Sequence, residues 1–282
     1  MRWRPPSGEP TQFRVVAIHG LGGWGGDFEP LAQRLATLGG ETWALNLRGQ
    51  GCDPIRRLRG HFNSVQQWLD DVEAFTRHVH ACGPETPLLL VGESLGASVL
   101  TVTAAQPQSV LAQANGILLL APVPYVKLNL NPRQLRLTQL LIDLFPRLRL
   151  RPGMFTRKRK NSEQQIEPVC RQEDHRKRME NAPHRLQRFS LRFLGNVWKL
   201  VEATPAAAQQ LQIPLLQLCA GRDLFINEVD SRRFFESWGT PQREFRCWPE
   251  ACHLLLYDPL TEDVLQHITA WVQTRIRTPQ RA

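Results

Sequence analysis

The chain contains nothing near the ~20 consecutive apolar residues that a membrane-spanning helix needs, and its six cysteines show no CxxC spacing. The first absence excludes an integral helical membrane protein. The second removes the common signature of a zinc or dithiol site. Cys52, Cys82, Cys170, Cys219, Cys247 and Cys252 lie scattered through apolar stretches, so they are expected to be buried free thiols in a reducing compartment. The amino terminus, Met1-Arg2-Trp3-Arg4-Pro5-Pro6, lacks the apolar segment of a signal peptide. A cytoplasmic protein is expected, with peripheral contact as its route to a membrane. There is no internal repeat.

Negative charge is also in short supply. Lys and Arg number 35 against 26 Asp and Glu, a formal net charge of +9, with a pI near 9.8. Such a balance points to an anionic partner and says nothing about fold. The apolar fraction of 42% and charged fraction of 22% are those of a soluble globular protein. A length of 282 residues fits one large α/β domain or two small ones.

Short apolar, β-branched or leucine-rich runs at Phe13–His19, Thr42–Leu47, Leu88–Val91, Gly116–Ala121, Pro214–Ala220 and Arg243–Trp248 read as strands. Helical spacing links Phe28, Leu31, Leu35 and Leu38, and again Val65, Trp68, Leu69, Val72, Phe75 and Val79. Further helices are expected at 97–105, Asn227–Trp238 and Leu260–Ile276. This alternation implies α/β architecture, with a mostly parallel central sheet covered by helices on both faces. It stops between Pro122 and about Thr204. That stretch is helix-prone, and its Lys and Arg outnumber Asp and Glu by more than two to one. An insertion of this length is expected to be a helical cap. The expected division is a core part at 1–122, a basic cap at 123–204 and a second core part at 205–282.

Gly92-Glu93-Ser94-Leu95-Gly96 follows one strand and precedes a helix-compatible run. That is the Gly-x-Ser-x-Gly pattern of a nucleophile elbow, whose glycines allow a very tight turn and whose serine sits in a strained backbone region. A serine hydroxyl needs a base within reach, and the base needs a carboxylate to fix its tautomer. After the elbow, Asp223 directly follows strand Pro214–Ala220, and His253 follows strand Arg243–Trp248. Both fall at carboxyl ends of parallel strands, where open α/β sheets place their sites. Ser94, Asp223 and His253 are therefore the catalytic candidates. For the oxyanion hole the backbone N–H of Leu95 supplies one donor. Leu21, in the glycine-rich loop after the first strong strand, supplies the other.

These segments together are similar to α/β-hydrolases of the monoacylglycerol lipase and lysophospholipase group. The carriers are His19-Gly20-Leu21-Gly22, Asn46-Leu47-Arg48-Gly49-Gln50-Gly51, the Ser94 elbow, Gly221-Arg222-Asp223 and Glu250-Ala251-Cys252-His253. The resemblance implies an α/β-hydrolase fold and a serine esterase that cleaves a lipid ester, a monoacylglycerol or a lysophospholipid, through an acyl-enzyme. It implies no cofactor and no metal. Two departures stand out. The family usually has Asp where Asn46 stands, a structural position. The family's first strand is missing, so the sheet would start with a shortened edge at Arg2-Trp3-Arg4.

Other readings compete. A thioesterase or acyltransferase would use the same triad. Gly20-Leu21-Gly22-Gly23-Trp24-Gly25 matches G-x-G-x-x-G between a strand and a helix, as in a dinucleotide-dependent enzyme. A hydrolase fold without activity would be a binding module. Asp70 and Asp71 precede the elbow and read as solvated. His78 and His80 lie two apart on a helix, a poor metal pair, and His175 and His184 in the cap suggest surface or substrate contact. The run Arg157-Lys158-Arg159-Lys160 reads as a solvated loop or as a contact for anionic headgroups, with no nucleic-acid partner expected. Leu135, Leu137, Leu140, Leu141, Leu144 and Phe145 read as an acyl tunnel, a membrane-facing surface or the cap's own core. The sequence carries no signal of oligomeric state.

Overall fold

The apolar runs become strands of one sheet, in which Leu88–Glu93, Gly116–Leu120 and Leu215–Ala220 are buried on both faces and Arg243–Trp248 forms a half-exposed edge. A computed structural model of the protein describes residues 1–125, 131–151 and 169–276. The central strands are β1 (Arg2–Trp3), β2 (Phe13–Ile18), β3 (Gly40–Leu45), β4 (Leu88–Glu93) and β5 (Gly116–Leu120). After a separate antiparallel ribbon of β6 (Arg149–Leu150) and β7 (Phe189–Ser190), β8 (Leu215–Ala220) and β9 (Arg243–Trp248) complete the sheet. The spatial order is β1-β3-β2-β4-β5-β8-β9. Only β1 runs antiparallel, pairing with β3, and the other neighbours are parallel. The expected short edge is thus a two-residue strand, held where Arg2 and Arg14 donate to the buried Glu41 carboxylate at 2.8 and 3.2 Å.

Helices α1 (Glu29–Ala36) and α8 (Thr261–Arg275) cover one face of the sheet. On the other face lie α2 (Val65–Ala81), α3 (Leu95–Ala104) and α6 (Leu191–Ala208). Every residue of α3 is buried, which explains its lack of an amphipathic pattern. In the first cover, Phe28, Leu31 and Leu35 meet Phe13, Val15 and Ala17 of β2. Phe62 stacks on Trp68 with ring centroids 4.0 Å apart, and Phe193 of α6 meets both rings edge-on.

In the inserted region, α4 (Pro132–Leu144) starts on a reciprocal cap, with Asn131 Oδ1 accepting the Gln134 N–H at 2.9 Å. Next come α5 (Glu173–Asn181) and α6. α6 runs unbroken through residue 204, and its Leu200, Val201, Ala207 and Ala208 belong to the core over the sheet. Its periodicity in sequence is the same whether a helix covers a sheet or a substrate. Helix α7 (Glu228–Glu236) joins β8 to β9. Among the described residues no helix is long and apolar enough to cross a membrane. The basic run Arg157–Lys160 lies outside the described residues.

Two expectations change. Only Cys170, Cys219 and Cys252 are buried, whereas Cys82 is exposed and Cys52 and Cys247 are half-buried, because β9 is an edge strand and Cys82 ends a surface helix. His175 is not a surface group. It is buried and stacks on Tyr257 with centroids 3.3 Å apart.

Candidate active site

β4 ends in a tight turn that requires its two glycines. Ser94 has φ 52° and ψ −117°, a left-handed conformation costing a non-glycine residue about 1–3 kcal/mol. A side chain at Gly92 would meet Ala97 Cα at 2.6 Å, and one at Gly96 would run into the carbonyl of Ile18 on β2. The turn is pinned where Ser94 N–H donates to Leu120 O at 2.9 Å on β5. The serine is thereby lifted from the carboxyl end of β4, half-buried, at the start of α3.

The loop after β2 passes directly over it. A Cβ on Gly20 would lie 3.0 Å from Ser94 Cβ and 3.6 Å from its Oγ. The loop is held by side chains that sequence reasoning did not assign. His19 Nδ1–H donates to Gly20 O at 2.8 Å, and its Nε2 accepts the Leu47 N–H at 3.1 Å. Burial pushes this imidazole down to about 4, so it is neutral at pH 7 and keeps that tautomer. Buried Gln50 accepts the Gly22 N–H at 3.0 Å, and Asp27 accepts the Trp24 N–H at 2.9 Å. Asn46 accepts the Gly25 N–H at 2.7 Å. An amide oxygen suffices for that bond, which accounts for Asn in place of Asp. The Leu21 N–H finds no protein acceptor among the described residues. Leu95 holds the first helical position, where an N–H has no partner within its helix. Two glycines of this loop are taken up by protein packing, Gly20 against Ser94 and Gly25 against Ala44 at 3.2 Å, while Gly22 has φ +77° and open space around it.

At the ends of β8 and β9 two loops are zipped together. Gly221 N–H donates to Trp248 O and Arg222 N–H to Ala251 O, both at 2.9 Å. Gly221 is required because its Cα packs on Pro249, 2.5 Å from where a Cβ would stand. This joins Asp223 to His253, with Oδ2 to Nδ1 at 2.6 Å and both side chains out of solvent. The other carboxylate oxygen accepts N–H groups of Phe225 at 2.7 Å and Ile226 at 3.3 Å. The Phe225 ring meets the imidazole edge-on at 4.7 Å while remaining 56% exposed.

The inserted region also steadies the histidine loop. Leu254 N–H donates to Val169 O at 3.1 Å. Arg171 donates twice at 3.1 Å to the buried Asp258, which accepts the Cys252 N–H at 3.1 Å. Val169, Arg171 and Asp258 carry no motif, so nothing in the sequence marked them. Asp71 pairs with Arg48 at 2.6 Å and Asp70 is exposed. His184 packs against Trp24 with the rings tilted by 34° and their centroids 4.7 Å apart. No group of three His, Cys, Asp or Glu side chains among the described residues is placed to hold a metal ion.

Comparison with known proteins agrees with this architecture. Residues 9–260 match the Hydrolase_4 family model, described as serine aminopeptidase, S33. The chain is 24% identical to phospholipase YtpA of Bacillus subtilis (strain 168), over 93% of this chain and 95% of the other. It is also 24% identical to the monoglyceride lipase of Rattus norvegicus, over 98% and 86%. The crystal structure of Paleococcus ferrophilus monoacylglycerol lipase superposes with a TM-score of 0.78 at 23% identity, covering 98% of each chain. A parallel sheet carrying a serine at a strained strand-to-helix turn, matched along nearly its whole length, places the chain in the Hydrolase_4 (serine aminopeptidase, S33) family, as a serine hydrolase of the α/β-hydrolase fold.

Proposed function

We propose that this enzyme hydrolyses the ester bond of a lipid, a monoacylglycerol or a lysophospholipid, with Ser94 as nucleophile, His253 as base and Asp223 as the group that orients the base. The observation carrying this reading is the 2.6 Å contact of His253 Nδ1 with Asp223 Oδ2, at the rim of the sheet where Ser94 leaves β4. The carboxylate keeps the proton on Nδ1, which leaves the Nε2 lone pair for the Ser94 hydroxyl. As Oγ adds to the ester carbonyl, the Leu21 and Leu95 N–H groups donate to the new oxyanion, each worth about 3 kcal/mol. His253 gives its proton to the departing alcohol oxygen, leaving an acyl ester on Ser94. Water then adds with His253 again as base, and the fatty acid leaves.

The lipid class rests on what the relatives are named for, a phospholipase and a monoglyceride lipase, and on one surface. Leu137, Leu140 and Leu144 of α4, and Phe145 just after it, are each more than half exposed, with Arg133 and Arg136 on the same helix. These side chains form no interior of their own, which favours contact with acyl chains or a membrane surface over a cap core. Of the 123–204 segment, the part that precedes α6 is the proposed cover that sets chain length. Its basic residues would each add about 1 kcal/mol of attraction to an anionic bilayer.

A fluorophosphonate probe should label the wild type and leave Ser94→Ala unlabelled. A labelled Ser94→Ala would remove the triad assignment, and an unlabelled wild type would favour a binding module. Across p-nitrophenyl esters from C2 to C16, beside monoacylglycerol and lysophosphatidylcholine, medium or long chains should be preferred. A sharp optimum at C2 would contradict the lipid reading.

A further inference from the structure

The peptide groups on either side of His253 are both held by way of the inserted region. Leu254 N–H donates to Val169 O at 3.1 Å. Cys252 N–H donates to Asp258 Oδ2 at 3.1 Å, and that carboxylate also accepts Nε–H and Nη2–H of Arg171, each at 3.1 Å. With the Leu260 N–H at 3.1 Å, four donors occupy the two oxygens of Asp258, whose side chain is fully buried beside a half-buried Arg171. Further contacts run the same way. Cys170 Sγ–H donates to Tyr257 O at 3.0 Å, and Gln172 N–H reaches the same carbonyl at 3.4 Å. His175 of α5 stacks on the Tyr257 ring. Residues 169–175 thus form a strap along 252–258, opposite the bonds that Arg222 and Asp223 make to the histidine loop from the core.

We propose that Arg171 is a positioning residue for catalysis, holding His253 through Asp258, so that the inserted region is needed for turnover even of esters too short to touch it. The inference rests on the reading of His253 as the base. One hydrogen bond at Nδ1 fixes which nitrogen carries the proton, but the place of Nε2 follows the backbone of residue 253. The two flanking amides set that backbone. Removing the guanidinium leaves the Asp258 carboxylate buried with two amide donors and no opposing cation. A buried carboxylate stripped of its partner turns toward water or takes up a proton. Either change weakens the bond to Cys252 N–H and lets the imidazole drift. A displacement of about 1 Å at a reacting group costs on the order of a hundredfold in rate. The step affected is proton transfer between Ser94 Oγ and Nε2, which every ester shares. A residue that only shaped the cover would act on KM and on chain-length preference instead.

The test is kcat and KM of the full chain on p-nitrophenyl acetate, butyrate and decanoate, with the thermal midpoint and the rate of fluorophosphonate labelling. Arg171→Ala should lower kcat by about ten- to a hundredfold, by the same factor on all three esters. KM should stay within about twofold of wild type, and labelling should slow in step with kcat. Arg171→Lys keeps the charge without the two-pronged donor, and should regain part of the loss, remaining about three- to tenfold below wild type. It decides alone if Arg171→Ala does not fold. A kcat within about twofold of wild type in folded Arg171→Ala, or in Arg171→Lys when it decides alone, overturns the role of Arg171. So does a loss confined to the decanoate and carried by KM. If Ser94 is still the labelled residue in such a case, the triad reading stands. Labelling that persists in Ser94→Ala removes the triad reading, and the role of Arg171 with it.

Discussion

Replacing Asp223 by asparagine tests the proposed triad with almost no change of shape, and the surrounding hydrogen bonds decide what the amide does. Oδ1 of Asp223 accepts two backbone N–H groups, from Phe225 and Ile226, and Oδ2 faces His253 Nδ1. An asparagine has one oxygen and one NH2 to distribute over these sites. With its oxygen toward the two amides both bonds survive, each worth about 1 kcal/mol. The reverse orientation faces NH2 against two donors in a site closed to water. The oxygen therefore stays with the amides, and the NH2 group points at His253. Nδ1 must then accept, the imidazole proton moves to Nε2, and the lone pair needed for the Ser94 hydroxyl disappears. The expected fall in kcat is of order 10⁴, equivalent to about 5 kcal/mol of transition-state stabilisation. Steady-state turnover of p-nitrophenyl butyrate and the rate of fluorophosphonate labelling should fall together, with the thermal midpoint nearly unchanged. A folded Asp223→Asn enzyme within tenfold of wild type would refute this reasoning.

Further outcomes concern stability. Gly96→Ala puts a methyl group against the carbonyl oxygens of Ile18 and His19, both fixed in the sheet or in the loop beside it. It should cost about 3 kcal/mol or more, and a urea midpoint close to wild type would show that β2 can yield. The pKa of Glu93 lies above its unfolded value, so in wild type this residue costs stability as pH rises from about 4.5 to about 8. Glu93→Gln should therefore be the more stable protein at pH 8, by on the order of 4 kcal/mol, with the advantage vanishing near pH 4.5. A difference independent of pH would contradict the buried acid. His19 and His175 have the opposite sign. Burial pushes both down to about 4, so their contribution is intact above pH 6.5 and is lost as pH falls toward 4. Glu93→Gln should accordingly lose stability below pH 6.5 more steeply than wild type, and parallel denaturation curves for the two proteins would exclude that.

Sequence by itself determined the parts of this protein that depend on neighbours along the chain. The apolar runs specified buried parallel strands, and their ends matched within one or two residues, as at Arg243–Trp248. Gly92 and Gly96 specified the turn around Ser94, because a side chain at either glycine would run into Ala97 or Ile18. The order Ser94, Asp223, His253 named the candidate partners. What remained depends on contacts between residues far apart in sequence, which leave no local period or spacing. Only the tertiary structure shows that the two loops zip so that Asp223 meets His253, that His19, Gln50 and Asp27 hold the glycine loop over Ser94, and that Val169 and Arg171 brace the histidine loop. It also decides which face of α4 remains outside, and that α6 belongs to the core. Burial decides charge in the same way. Glu93 looks like any acidic residue in the sequence, and only its burial at the end of β4, with the charge of Asp27 adding to it, pushes its carboxyl up to about 8.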